Sequence, residues 1–168
     1  DSGAYALTYP GYRVVDAVHG GAFHQQTDVD REPLSASCHD CGGDLAFTYE
    51  TTAGARVWCP ACGRRYLRHP FDPGGLVGRD GDALGRAVDR VARANWAQAQ
   101  ADICPVCSGH VRTWVRDDAP AKAVAVRGHD VTVGLDCRQC NYHANVPPGA
   151  AVLAHPEGAQ RMAAAARG

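Results

Sequence analysis

The sequence predicts an α+β fold made of two small four-cysteine ribbons joined by a helix. Three observations predict it. All eight cysteines fall into C-x-x-C pairs: Cys38/Cys41, Cys59/Cys62, Cys104/Cys107 and Cys137/Cys140. Short apolar–polar alternations, the mark of half-buried strands, fill the gaps between the first and second pairs and between the third and fourth. Between Cys62 and Cys104 the apolar period changes from strand-like to helical.

Composition sets the bounds. The chain has 168 residues, enough for one ordinary domain or two small ones. Its apolar share is 45%, with only three Trp, six Tyr and three Phe, which argues against a single large aromatic core. Seventeen basic residues against 18 acidic ones give a net charge of −1. That excludes a generally basic nucleic-acid coat but leaves room for a local patch. No apolar run approaches the roughly 18 residues of a membrane-spanning helix, so no membrane partner is expected. Asp1-Ser2-Gly3 begins no signal peptide, and the expected location is the cytoplasm. With Met162 as its only methionine, the chain reads as a piece of a longer one. Arginine exceeds lysine 16 to 1, a bias of GC-rich coding and not of function.

The first element is a short strand at residues 5–8, with Tyr5 and Leu7 on one face. Thr8 can cap a helix that tolerates Pro10 in its first turn. Val14, Val15 and Val18 give that helix an apolar face, and Gly20-Gly21 ends it. A strand and a helix of this size cannot be stable alone.

The first ribbon is placed at residues 34–68. Leu45, Phe47 and Tyr49 alternate with polar or small residues, residues 52–54 turn, and Arg56-Val57-Trp58 leads into Cys59. Seventeen residues, 42–58, separate the two cysteine pairs, which fits C-x₂-C-x₁₅₋₂₀-C-x₂-C metal spacing. Arg64, Arg65 and Arg68, interleaved with Tyr66, form a small basic cluster that reads as surface.

Residues 69–101 are read as linker and connecting helix. Residues 69–81 are rich in Pro and Gly. Asp80 or Asp82 can cap the helix, and Leu84, Val88, Val91, Ala92, Trp96 and Ala99 share a face that Ile103 extends. That face is expected to pack on a ribbon or on a second copy in a homodimer. Arg86, Arg90 and Arg93 form a stripe with acidic partners Asp82 and Asp89 one turn earlier, as on a solvated face.

The second ribbon is placed at residues 102–146. Its cysteine pairs are separated by 29 residues, 108–136, too many for the same template. Three strands explain the excess: Val111, Thr113 and Val115 alternate in the first, residues 121–127 form the second, and Val131, Val133 and Leu135 lead into Cys137. Pro147-Pro148-Gly149 then breaks the sheet. The tail, 147–168, holds an apolar stretch at 150–153 and a segment, 157–167, able to be helical.

Cysteines three apart bite one metal ion, because the knuckle turn points both sulfurs inward. Pairing in order gives two sites, Cys38, Cys41, Cys59 and Cys62, and Cys104, Cys107, Cys137 and Cys140, and so two Zn²⁺ ions. The same knuckles hold single iron ions, and sequence does not separate the two metals. A thioredoxin-like redox pair needs one C-x-x-C opening a helix in a βαβ context, which is not this pattern. Cross-braced pairing is disfavoured by the helix between Cys62 and Cys104. His39, His69, His110 and His143 sit near knuckles and could replace a thiolate, but each site already has four. They read as exposed loop histidines, as do His129 and His155.

A four-thiolate site is closed and therefore structural. No nucleophile, base and orienter set appears, nor a phosphate loop. No catalytic residue is assigned, and the chain is not expected to be an enzyme.

Tyr5-x-Leu7-Thr8-x-x-Gly11-x-x-Val14 resembles the exit of a winged helix-turn-helix domain. The ordered motifs that follow extend the likeness: C-x-x-C-G-G-x-L at 38–45, C-P-x-C-G-R at 59–64, F-x-P-G-G at 71–75, a helix, C-P-x-C at 104–107, the last C-x-x-C, and His155-Pro156. Together they resemble the C-terminal part of archaeal, chiefly haloarchaeal, ArsR-like winged-helix transcriptional regulators. The resemblance implies that residues 1–21 are the last strand and helix of a truncated winged-helix domain. It implies DNA binding through an upstream domain, with no DNA-reading residue in this chain. It also implies a zinc-binding region serving structure, dimerisation or partner and effector binding. The charge of −1 departs from the acidic excess usual in haloarchaeal proteins. The alternative reading is a free-standing double zinc-ribbon adaptor that binds protein or RNA.

Overall fold

A computed structural model describes residues 5–23, 25–116, 131–155, 157, 158, 160 and 164. The chain divides into two compact units: Asp1–Ala61 with Leu67–Val88, and Cys62–Tyr66 with Asp89–Gly168. Each is built on its own antiparallel sheet.

Residues 5–8 form no strand. A lone extended segment has no neighbouring ladder to satisfy its backbone, and none of the described strands pairs with it. Helix α1 follows at Tyr9–His19, with Pro10 in its first turn. Thr8 caps it, its hydroxyl accepting the Gly11 N–H at 3.4 Å. No α1 residue is buried, and Tyr9, Tyr12, Val14 and Val18 are exposed. Its C-terminal Gly20 accepts the Gly74 N–H at 3.0 Å.

The first sheet has the order β1-β2-β3-β4, with β1 Val29–Ser37, β2 Asp44–Glu50, β3 Gly54–Trp58 and β4 Arg65–His69. The expected hairpin is β2 with β3, in register from Ala46 opposite Trp58 to Glu50 opposite Gly54. Gly54 turns with φ +76°, and a Cβ there would lie 2.7 Å from the His69 carbonyl oxygen, so the turn excludes any side chain. Leu45, Phe47, Tyr49, Ala55 and Val57 form the core.

Strands β1 and β4 extend the ribbon on both sides. β1 is an edge strand that carries Pro33 and breaks register twice, the bulged, proline-bearing pattern by which edges avoid further pairing. β4 takes up Arg65 and Arg68 of the arginine cluster, and His69 at its end is buried, not exposed in a loop as expected. Burial holds the His69 imidazole below its ordinary pKa.

Helix α2 spans Gly81–Gln100. Its start is held from β1: Glu32 Oε1 accepts the Gly81 N–H at 3.1 Å, and Asp82 Oδ1 accepts the Ser35 N–H at 2.8 Å. Asp82 is thus a strand anchor as well as a first-turn acid, and the Ser35 hydrogen bond holds its carboxyl below the usual range. The buried stripe is Leu84, Val88, Ala92, Trp96 and Ala99. Val91 and Ile103, expected on that face, are exposed. The observed stripe steps by four from Leu84 to Trp96 and by three to Ala99, and Val91 falls off its edge. Arg93 pairs with Asp89 at 2.8 Å.

The second sheet has the order β5-β6-β7, with β5 Val111–Arg116, β6 Thr132–Cys137 and β7 His143–Val146. The strand expected at 121–127 lies outside the described residues. The third described strand instead follows the last knuckle. Val111, Leu135 and Val146 are buried, and α3, Pro148–Ala154, packs beside β6. Within the tail expected to be helical, Glu157, Gly158, Gln160 and Ala164 are helical.

The two ribbons share one plan. Among the described residues each runs knuckle, strand, strand, knuckle, strand. Ala46 opposite Trp58 matches Arg112 opposite Asp136: each pair sits five residues after one knuckle and one before the next. The first ribbon adds β1.

Candidate metal centres

Three knuckles form where strands β1, β3 and β6 end, and the third in chain order, at Cys104, follows α2. In the first knuckle the Cys38 N–H donates to the Gly43 carbonyl at 2.8 Å, and the Gly42 N–H to the Cys38 carbonyl at 2.9 Å. The third repeats this, Cys104 to Gly109 at 2.8 Å and Ser108 to Cys104 at 2.9 Å. The residue after the second cysteine takes a left-handed conformation in three knuckles: Gly42 at φ +73°, Gly63 at +75° and Ser108 at +60°. Glycine enters that region without strain; Ser108 does not. Gly43 and Gly109 have a second constraint. A Cβ on Gly43 would approach the Ala61 methyl at 3.0 Å, and one on Gly109 would collide with the Gln139 side chain. The Gly43 contact is with a fixed methyl group and leaves little room for a side chain, whereas the Gln139 amide facing Gly109 is the free end of a flexible chain.

The result is two clusters, Cys38, Cys41, Cys59 and Cys62, and Cys104, Cys107, Cys137 and Cys140, each with its four sulfurs within 4.8 Å of one another. Cys41 and Cys59 lie 3.5 Å apart, Cys107 and Cys137 3.5 Å, and Cys104 and Cys140 3.7 Å. A tetrahedral ion with Zn–S bonds of about 2.3 Å requires sulfurs about 3.8 Å apart, so both clusters fit zinc. Backbone N–H groups point at the sulfurs: Val106 to Cys104 at 3.4 Å, Gln139 to Cys137 at 3.3 Å, and Tyr142 to Cys140 at 3.5 Å. These donors stabilise thiolates and fix their direction.

The protonation of the second cluster points the same way. Burial opposes ionisation of Cys137, but the Gln139 and Cys140 N–H groups and the neighbouring thiols bring its pKa down to about 6. Cys140 accepts the Tyr142 N–H, yet burial and the thiols of Cys107, Cys104 and Cys137 push it up to about 12. Cys137 ionises, and Cys107 and Cys140 then resist. A divalent cation at the centre removes that conflict and lets all four act as thiolates.

Among the described residues the clusters contain cysteine only. His39 is exposed and belongs to neither. His110 instead contacts Asp102, Nδ1 to Oδ2 at 2.9 Å, and His143 Nδ1 lies 3.2 Å from the Asn141 carbonyl. Asp102 was missed in the sequence. Its other oxygen accepts the Val111 N–H at 2.8 Å, so it ties the end of α2 to the start of β5. Its position two residues before Cys104 carries no motif that would have revealed it. The centres differ in access. Cys38 and Cys59 are buried in the first, whereas only Cys104 is buried in the second. Cys137 also lines a cleft of about 300 Å³ with Arg112, Asp136 and Arg138. No helix among the described residues is long and apolar enough to cross a membrane.

A family model, described as a domain of unknown function, DUF7351, matches residues 35–166, and the chain belongs to that family. The match takes in both metal centres and leaves out α1. No curated protein and no solved structure matches the chain.

Proposed function

We propose that this DUF7351-family chain is the zinc-stapled C-terminal region of an ArsR-like, winged-helix transcriptional regulator. On this reading the ribbons serve structure, dimerisation or effector and partner binding, while DNA is held by a domain upstream of Asp1. The observation that carries the reading is the ordered motif series from Tyr5 to Pro156, in which a helix capped by Thr8 precedes two ribbons. Helix α1 buries none of its own residues in this chain, which supports its belonging to a larger packed body. The ions are structural, because four thiolates leave no coordination position for water or substrate. The chain has no catalytic role in this proposal.

The test is footprinting on the gene's own promoter, with the full-length product beside residues 1–168. The full-length protein is expected to protect a defined duplex site. This chain alone is expected to protect none at physiological salt. A tight, sequence-specific duplex complex of the chain alone overturns the proposal, as does a full-length product with no helix-turn-helix ahead of Tyr5.

A further inference from the structure

The second sheet has two unlike faces, neither wholly buried nor wholly open: Thr113 and Val115 are exposed on one, and Thr132 is buried on the other. Val111, Leu135 and Val146 are buried on one. The strand register places Arg112 and Trp114 of β5, Gly134 and Asp136 of β6, and His143 and Asn145 of β7 together on the other. On that face Trp114 sits opposite Gly134, and a Cβ on Gly134 would strike the indole 2.5 Å away. The ring therefore packs closely against Gly134, where a larger residue would displace it. Its Nε1–H donates to Asp136 Oδ2 at 2.5 Å, which fixes its rotation. The Arg112 guanidinium lies over the ring, 5.8 Å from its centroid, and Arg112 Nη2 is 3.6 Å from Asp136 Oδ2. The Arg112 side chain is 62% exposed.

Beside this stack runs the cleft of about 300 Å³ that Arg112 and Arg138 line with Asp136 and Cys137. Asp136 is the one acidic residue in the three strands, and its carboxylate is engaged by Trp114 and Arg112. A zinc-loaded four-thiolate centre adds two negative charges nearby, so that with Asp136 the three negative charges exceed the two arginines by one. The face is thus not a strong cationic field. What it offers is an indole fixed by Asp136, a guanidinium over it at 5.8 Å from the ring centroid, and a second arginine at the same cleft. Bases stack on arginine planes as well as on aromatic rings, and arginine forks match phosphate oxygens.

We infer that this face is a stacking platform for single-stranded nucleic acid. One base lies on the Arg112 guanidinium as the next layer over Trp114, and Arg138 takes the adjoining phosphate. A duplex does not fit this use, because its bases are already stacked on one another. The inference is independent of the regulator proposal, which concerns duplex DNA and an upstream domain.

The test is fluorescence anisotropy of short labelled oligo(rA) and oligo(dA) with the zinc-loaded chain. Binding is expected for both single strands. With two phosphates neutralised, the affinity falls about sevenfold between 50 and 200 mM salt. Arg112→Lys keeps the charge but removes the planar layer, and a loss of at least about fivefold is expected. Arg138→Ala is expected to weaken binding and flatten the salt dependence. Both substitutions are at exposed side chains, and two bound zinc ions with native circular dichroism verify each variant. Three outcomes overturn the inference: no binding by the unmodified chain, Arg112→Lys binding as well as the unmodified chain, or equal affinity for a blunt duplex.

Discussion

At the scale of single residues, the backbone of the knuckles makes the sharpest prediction. Gly42 and Ser108 occupy equivalent positions, both left-handed, and a Cβ on Gly42 would meet nothing within 4 Å. Only conformational strain separates the two residue types there. Gly42→Ala should therefore cost about 1 kcal/mol, and Ser108→Gly should gain about as much, by thermal or denaturant unfolding of the zinc-loaded chain. His69 makes a pH prediction. Burial lowers its folded pKa below the ordinary value of 6.5, so the unfolded chain takes up the proton more readily. Its contribution to stability is complete above about pH 6.5 and is lost as pH falls through the folded pKa. His69→Gln should flatten the stability profile in that window. An unchanged slope would mean that the imidazole is not desolvated. The eight ligands were legible from spacing alone, because thiolate chemistry and knuckle geometry tolerate little variation. Asp102 and the burial of His69 were not legible. Each depends on where a strand or helix end comes to rest, which no local pattern records.

At the scale of elements, legibility followed periodicity. The β2–β3 hairpin and α2 were readable because their apolar residues recur at the period of the element. β1 was not, since Asp30, Arg31, Glu32 and Pro33 give an edge strand a loop's composition. β7, His143–Val146, is too short to establish an alternation. The helical stripe was read two residues too wide, at Val91 and Ile103, because period counting does not show where a packed face ends. Element junctions are where single changes do most harm. Gly54→Val should destabilise the first ribbon by more than about 2 kcal/mol, since it adds a Cβ against the His69 carbonyl at a left-handed turn. A melting temperature equal to that of the unmodified chain would show that the turn relaxes freely. Helix α1 is the opposite case. With no buried residue, it should show little amide-exchange protection in this chain, whereas α2 should exchange slowly around Val88 and Ala92.

At the scale of the whole molecule, metal replaces the large core that the composition does not supply. Structural zinc sites contribute apparent binding energies of roughly 10–16 kcal/mol, most of it expressed as folding. Chelation should remove two zinc ions and, with them, the strand signal in circular dichroism. Loss of metal with an unchanged spectrum would mean that the ribbons fold without it. Cys59→Ser and Cys137→Ser should each leave about one zinc bound, because the two centres share no ligand. The longer gap in the second ribbon costs little. Closing 29 residues in place of 17 adds only about 0.5 kcal/mol of loop entropy.

The common plan of the two ribbons has a kinetic side. Four knuckles of nearly one geometry lie on one chain, and an ion held by any single knuckle can be completed by three others. Adjacent repeats of like structure misassemble by such exchange. The shorter gap gives the first ribbon the faster closure, so its pair is satisfied and withdrawn from competition before the second pair is complete. Refolding with one equivalent of zinc should therefore fill the first centre ahead of the second. Refolding with the ion in excess should seat lone knuckles early and slow the approach to the native pairing.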